Sequence, residues 1–128
     1  MDNYRPPTDF YFLRMAYLVS ERGTCARRKV GCVFVNKRNH VIATGYNGNP
    51  SGFIHCINQP CDGAKSKSGE DLDKCQAIHA EQNALVDCAK RGASCNECTA
   101  YITHYPCLNC TKLLLAGGIN KIRYIDNY

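Results

Sequence analysis

Two short stretches of the 128-residue chain carry residue types that can do chemistry together. They are His79-Ala80-Glu81 and Pro106-Cys107-Leu108-Asn109-Cys110, whose first cysteine stands 28 positions after the histidine. Cysteines spaced C-x-x-C share one face of a helical turn and can grip a single tetrahedral ion. One imidazole then makes three protein ligands and leaves the fourth position open, as in a catalytic rather than a closed structural zinc site. Glu81 stands two residues beyond the histidine, close to the metal but pointing differently. A carboxylate there can take a proton from a metal-activated water and deliver it to a nitrogen leaving group. Alone, H-x-E is ordinary helix surface, and C-x-x-C also fits a redox pair or structural zinc. Together, with both pieces at helix starts that favour thiolates, they point to zinc hydrolysis.

These residues need elements to position them, and the chain supplies an alternation of helix and strand. Residues 1–7 read as an extended, proline-marked lead-in, and Thr8 as the N-cap of a helix. Phe12, Leu13, Ala16 and Val19 then recur at helical spacing up to Gly23. Residues 30–35 form an apolar, β-branched strand, Asn36–Asn39 a polar turn, and Val41–Thr44 the return strand of a hairpin. Residues 45–74, rich in glycine and proline, read as one long loop that needs a function or a fastening. A helical pattern resumes from Gln76 to Arg91 and stops at Gly92. A strand at Thr99–Thr103, a helix at Leu108–Ala116 and a strand at Lys121–Ile125 complete the order. Strands separated by helices imply parallel neighbours, so the class is α/β with a mixed sheet in a single domain spanning residues 1–128.

Composition narrows the class further. Ten cysteines in 128 residues approach the density of secreted disulfide scaffolds. The N-terminus, however, lacks a basic segment followed by an apolar one, so no secretory signal is visible and a cytoplasmic location is expected. There thiols stay reduced, and cysteine clusters bind metal or react. No apolar run approaches 18 residues, which excludes a helical membrane span. The net charge of +5 has its basic excess early, in Arg27-Arg28-Lys29 and Lys37-Arg38, which suits a phosphate-bearing substrate as well as a nucleic acid.

The combination of H-x-E with P-C-x-x-C is the signature of zinc nucleobase deaminases. Over about residues 8–126 the chain resembles the deoxycytidylate (dCMP) deaminases of the cytidine deaminase superfamily. The resemblance rests on four segments. They run from Cys25 to Gly31, from Thr44 to Gly52, from His79 to Ala84 and from Tyr101 to Cys110; the second, with its Gly-Tyr-Asn-Gly, marks the dCMP branch. It implies a three-layer α/β/α cytidine deaminase-like fold around a central mixed sheet of five strands. It also implies deamination of dCMP to dUMP, supplying deoxyuridylate for thymidylate synthesis, usually in a homohexamer activated by dCTP and inhibited by dTTP. A flexible basic phosphate pocket also admits dCTP as substrate.

The resemblance assigns roles to residues of this chain. His79, Cys107 and Cys110 hold the catalytic zinc, and Glu81 shuttles protons as water adds to C4 of cytosine and ammonia leaves. Arg27 meets the 5′-phosphate, where a guanidinium fork suits the anion. Asn47 hydrogen-bonds the sugar or base, with Ala80, Tyr105 and Tyr128 as further substrate contacts. Lys29, Asn47 and Gly48 mark an effector site. Some members carry a second zinc, which here implies a closed Cys25/Cys56/Cys61/Cys75 structural site stapling loop 45–75, with His55 as substitute ligand. Cys95 and Cys98 then have no partners left and read as incidental reduced thiols, and Cys32 and Cys88 as small core residues. Members usually continue past the position of Tyr128 with a further helix and strand and an arginine near the active site.

Two other readings use the same residues. A tRNA adenosine or polynucleotide cytosine deaminase shares the zinc motifs but needs an extended basic groove, against which Glu70, Asp71 and Asp73 argue. A zinc-stapled nucleic-acid-binding module accounts for cysteines and charge but not for Glu81 beside a three-ligand site. The expected partners are therefore a small nucleotide and other copies of the chain, with neither membrane nor nucleic acid.

Overall fold

The computed structural model describes residues 3–25, 28–49 and 77–126. Helix α1 spans Thr8–Ser20. Its cap is Pro7 rather than the expected Thr8, with φ −56° and ψ 148° and no side-chain cap hydrogen bond. The proline's fixed φ suits this entry, and its carbonyl accepts Tyr11 N–H at 3.0 Å, drawing Thr8 into the first turn. Strands β1 (Gly31–Val35) and β2 (Val41–Tyr46) form the expected hairpin. At its turn the Asn36 side chain accepts the N–H groups of Arg38 and His40, at 2.9 and 3.0 Å.

Helix α2 spans Ala80–Arg91, β3 Thr99–His104, α3 Leu108–Ala116 and β4 Lys121–Asp126. Helix α2 thus starts four residues later than the periodicity from Gln76 suggests. The reason is local: His79 is extended, and Ile78 exchanges two backbone hydrogen bonds with Gly48, at 2.8 and 3.1 Å. Its end is as expected, at Gly92 in the left-handed region (φ +67°), where only glycine pays no steric penalty.

Among the described residues the sheet has four strands, in the order β2-β1-β3-β4, rather than the five the resemblance implies. β1 runs antiparallel to β2 and β3, while β3 and β4, joined by α3, run parallel. The mixed sheet is thus as expected. β1 is buried along its whole length because side chains from both faces of the sheet cover it. Val33, Val35 and Tyr101 pack beneath Phe12 and Ala16 of α1. Cys32, Phe34, Ala100 and Ile102 point the other way, against Ala80, Ala84 and Cys88 of α2 and Leu114 of α3. That is a three-layer α/β/α arrangement. Each large apolar side chain so enclosed contributes roughly 1.5–3 kcal/mol.

β2 runs two residues beyond the expected Thr44, taking in Tyr46 and Gly45, which composition placed in the long loop. Gly45 is there because α2 passes directly over it. A Cβ at this position would overlap Ala80 O and Ala84 N. Gly31 plays the same part on the opposite face, where a Cβ would overlap Ala16 O and Ser20 N of α1. Asn83 Nδ2 donates to Tyr46 O at 2.8 Å, and Asp87 Oδ2 accepts Thr44 N–H at 3.1 Å, so α2 is tied to β2 along its length. Among the described residues, no helix is long and apolar enough to cross a membrane.

Candidate active site

Two helix starts meet at one point. His79 is the N-cap of α2 and Cys107 the N-cap of α3, both with extended backbones that turn the side chain across the helix mouth. His79 N–H donates to Gln82 Oε1 at 3.1 Å, a reciprocal cap that fixes the entry of the histidine. Cys110 N–H donates to Cys107 Sγ at 3.4 Å, so the first thiol caps the helix that carries the second. Thr111 adds a hydroxyl bond to Cys107 O at 2.9 Å. Gln82 was not singled out from the sequence, although its position three residues after His79 is the spacing of a capping box.

The result is a three-ligand cluster. His79 Nδ1 lies 3.2 Å from Cys110 Sγ and 3.6 Å from Cys107 Sγ, and the three ligand atoms all lie within 4.8 Å of one another. Tetrahedral zinc with bonds of ~2.3 Å to sulfur and ~2.0 Å to nitrogen sets those nitrogen–sulfur separations at roughly 3.5 Å. The donor set, its spacing and its count all fit a catalytic zinc.

Glu81 sits in the first turn of α2, buried at 4% exposure beside this cluster. Burial raises its carboxyl above the usual carboxylate range, opposed by its own backbone N–H, the Cys110 thiol and His79. Cys110, fully buried, is held far above the usual thiol range, first by burial and then by the charges of Glu81 and Cys107. Protonated forms are favoured by both effects. A divalent cation at the centre reverses that balance by stabilising the deprotonated thiols.

The other candidate residues divide. Ala80 is buried at the start of α2 under Gly45. Asn47 is buried, and its amide is engaged at both ends: Oδ1 accepts Val30 N–H at 2.8 Å, and Nδ2 donates to Arg28 O at 2.7 Å. Its side chain thus holds the approach to β1, with one N–H and one lone pair remaining for a ligand. Tyr105 is half exposed, its ring edge-on to Tyr124 at 4.9 Å. Lys29 Nζ donates to Glu21 O at 3.3 Å, beyond the end of α1. Gly48 lines a cavity of about 550 Å³ with Thr24, Tyr46, Ile78 and Asn83. Cys25 is buried. Arg27, His55, Cys56, Cys61, Cys75 and Tyr128 lie outside the described residues.

Comparison with known proteins places this geometry in context. The family described as the cytidine and deoxycytidylate deaminase zinc-binding region matches residues 6–126. A deoxycytidylate deaminase of Schizosaccharomyces pombe is 40% identical over 99% of this chain, which spans only 39% of that relative's length. A deoxycytidylate deaminase of Mycobacterium phage D29 is 40% identical over 94% of this chain and 95% of its own. The crystal structure of the cyanophage S-TIM5 dCMP deaminase with dCMP and dUMP superposes with a TM-score of 0.76 at 32% identity, covering 98% of this chain and 86% of that one. With a match over nearly its whole length to a zinc-binding region that the His79/Cys107/Cys110 cluster fits, the chain belongs to the cytidine and deoxycytidylate deaminase family.

Proposed function

We propose that this chain catalyses the hydrolytic deamination of dCMP, in which dCMP and water give dUMP and ammonia. The observation that carries the reading is Glu81, buried against the His79/Cys107/Cys110 cluster. Zinc held by those three residues supplies, when bound, a water activated as a nucleophile near neutral pH. The side chains that stabilise the Glu81 carboxylate, the Cys110 thiol and His79, are themselves members of the cluster. Glu81 accepts the proton of the attacking water, passes it to N3 of the cytosine, and then serves the amino group as it departs. Its burial excludes bulk water and raises its proton affinity toward the working range. The phage D29 and S. pombe relatives, both deoxycytidylate deaminases, and the dCMP-bound cyanophage enzyme support the substrate.

Finer features belong to the same reading. Arg27, Asn47, Ala80, Tyr105 and Tyr128 form the substrate pocket, and dCTP is a second substrate to be tried against dCMP. Cys25, Cys56, Cys61 and Cys75 hold a structural zinc. The enzyme is a cytoplasmic homohexamer under dCTP and dTTP control, exerted near Lys29, Asn47 and Gly48. Metal analysis should return two zinc ions per chain, and a sigmoidal dCMP rate curve should become hyperbolic with dCTP.

The decisive experiment is Glu81→Gln. The variant should keep its catalytic zinc, while loss of cytosine absorbance from dCMP slows by about 10²-fold or more. Wild-type protein that leaves dCMP, dCTP and deoxycytidine unchanged would overturn the reading, and so would a Gln variant that turns over dCMP normally.

A further inference from the structure

Between strand β3 and the zinc-ligand cysteines stands a histidine that the metal cluster does not use. His104 closes β3 at the edge of the sheet where both ligand-bearing helices begin. Gly31, which opens β1, meets β3 at the same place, its N–H donating to Thr103 Oγ1 at 3.1 Å. The chain reaches Gly31 from Arg28, whose carbonyl is held by Asn47 Nδ2 at 2.7 Å. On the other side β4 ends at Asp126, the partner of His104 in the parallel register. Asp126 is itself engaged: Oδ2 accepts the Tyr17 hydroxyl and the carbonyl accepts Tyr105 N–H, each at 2.7 Å.

A relay of hydrogen bonds decides which nitrogen of the imidazole carries the proton. Thr103 is fully buried, and its Oγ1 lies 2.8 Å from His104 Nδ1. That oxygen already accepts the Gly31 N–H, and its own proton has no other acceptor among the described residues. The hydroxyl therefore donates to Nδ1, and the neutral ring keeps its proton on Nε2. Protonating Nδ1 would strand a buried hydroxyl proton, which is costly. Burial and the charge of Arg28 act in the same direction, lowering the His104 pKa, while Asp126 opposes them. His104 thus offers a fixed Nε2–H donor, for which the described residues supply no acceptor.

We propose that His104 reads the 5′-phosphate of the nucleotide, its Nε2–H donating to a phosphate oxygen, and that Thr103 is the positioning residue that fixes the donor tautomer. The proposal rests on the dCMP deaminase reading and adds to it a way of telling a nucleotide from a nucleoside. The half-buried donor lies at the edge to which Arg28 leads the chain, so the acceptor it suits best is anionic. The nearby carboxylate cannot take that place, because Asp126 is turned to Tyr17. The zinc ligand Cys107 follows His104 by three residues, which keeps the donor within one nucleotide's length of the cluster.

The test is equilibrium binding of dUMP and deoxyuridine to the zinc-loaded full chain, which needs no turnover. His104→Ala should weaken dUMP by about 10- to 100-fold and leave deoxyuridine within about twofold. His104→Gln, whose amide nitrogen can stand near the position of Nε2, should recover most of the loss, and His104→Asn should not. Nitrogen NMR of the wild-type ring should show a single tautomer with the proton on Nε2, which Thr103→Val releases to a mixture. Equal losses for nucleotide and nucleoside would assign His104 to packing and overturn the proposal. Undiminished dUMP affinity in His104→Ala, a Gln variant no better than Asn, or a wild-type proton on Nδ1 would do the same. Should His104→Ala fail to fold, the Gln and Asn comparison and the wild-type spectrum decide. If the binding pattern holds while dCMP is left unchanged, the deamination reading falls and the phosphate contact stands. Wild-type protein that does not prefer dUMP to deoxyuridine refutes the contact, whatever it deaminates.

Discussion

Replacing Gly45 with alanine separates the packing of the site from its chemistry. The added Cβ would overlap Ala80 O and Ala84 N and lie 3.0 Å from Ala84 Cα. Carbon atoms pack at about 3.5–4.0 Å, so the first turns of α2 must retreat by roughly 0.5–1 Å from a backbone that cannot yield. His79 and Glu81 travel with that helix, whereas Cys107 and Cys110 stay with α3. Zinc sites hold their distances within about 0.2 Å, and a misplacement near 1 Å costs about 10² in rate. Gly45→Ala should therefore lower stability by about 1–3 kcal/mol, weaken zinc binding by about tenfold or more, and cut kcat/KM for dCMP by about 10²-fold. Gly31→Ala is the internal control. It meets Ala16 O and Ser20 N of α1, on the face of the sheet away from the metal. A comparable loss of stability with zinc and turnover nearly intact is expected. Denaturant titration, chelator competition and the cytosine absorbance assay measure the three quantities on both variants. If both variants lose metal and activity in proportion to stability alone, the positioning role of the α2–β2 contact is wrong.

Other outcomes follow from the same contacts. Asn47→Ala leaves Val30 N–H and Arg28 O without their partner, so it should cost about 1–3 kcal/mol in a melt; an unchanged melting temperature with a raised KM would mean a substrate role alone. The Cys88 thiol is raised from 9.0 to about 11 in the fold, so above pH ~9 the unfolded chain sheds a proton that the folded chain keeps. Stability should thus fall as pH rises from about 9 to 11, by up to ~1.4 kcal/mol per pH unit from this group, and Cys88→Ala should flatten that slope in denaturant titrations. Chelation should abolish turnover and zinc should restore it. The stripped protein should keep its circular dichroism spectrum, because α2 and α3 are anchored by Ala84, Cys88 and Leu114 rather than by the metal.

Much of this arrangement was legible in the residues because the relevant signals are local. The metal ligands announce themselves by spacing within single helix turns, and β1 by a continuous apolar run that two-sided burial explains. What was not legible depends on partners distant in the chain. Gly45 reads as a breaker, yet it belongs to a strand, because what it must accommodate is α2, whose closest atoms belong to Ala80 and Ala84. Asn47 reads as a substrate contact, and the fold uses its amide to tie down the backbone of Arg28 and Val30.

The site depends on the smallness of one helix face. Ala80, Ala84 and Cys88 recur at intervals of four along the buried side of α2 and let the helix lie almost on the backbone of β2. Larger residues there would lift α2 from the sheet and carry His79 away from the two sulfurs, which α3 fixes independently. Asn83 and Asp87, on the side that meets β2, hold the same approach by hydrogen bonds to Tyr46 and Thr44. The three-ligand geometry is then set by the separation of a helix from a strand. Substitutions that enlarge this face should accordingly lose zinc before they lose the fold, while losses on the α1 side should follow the reverse order.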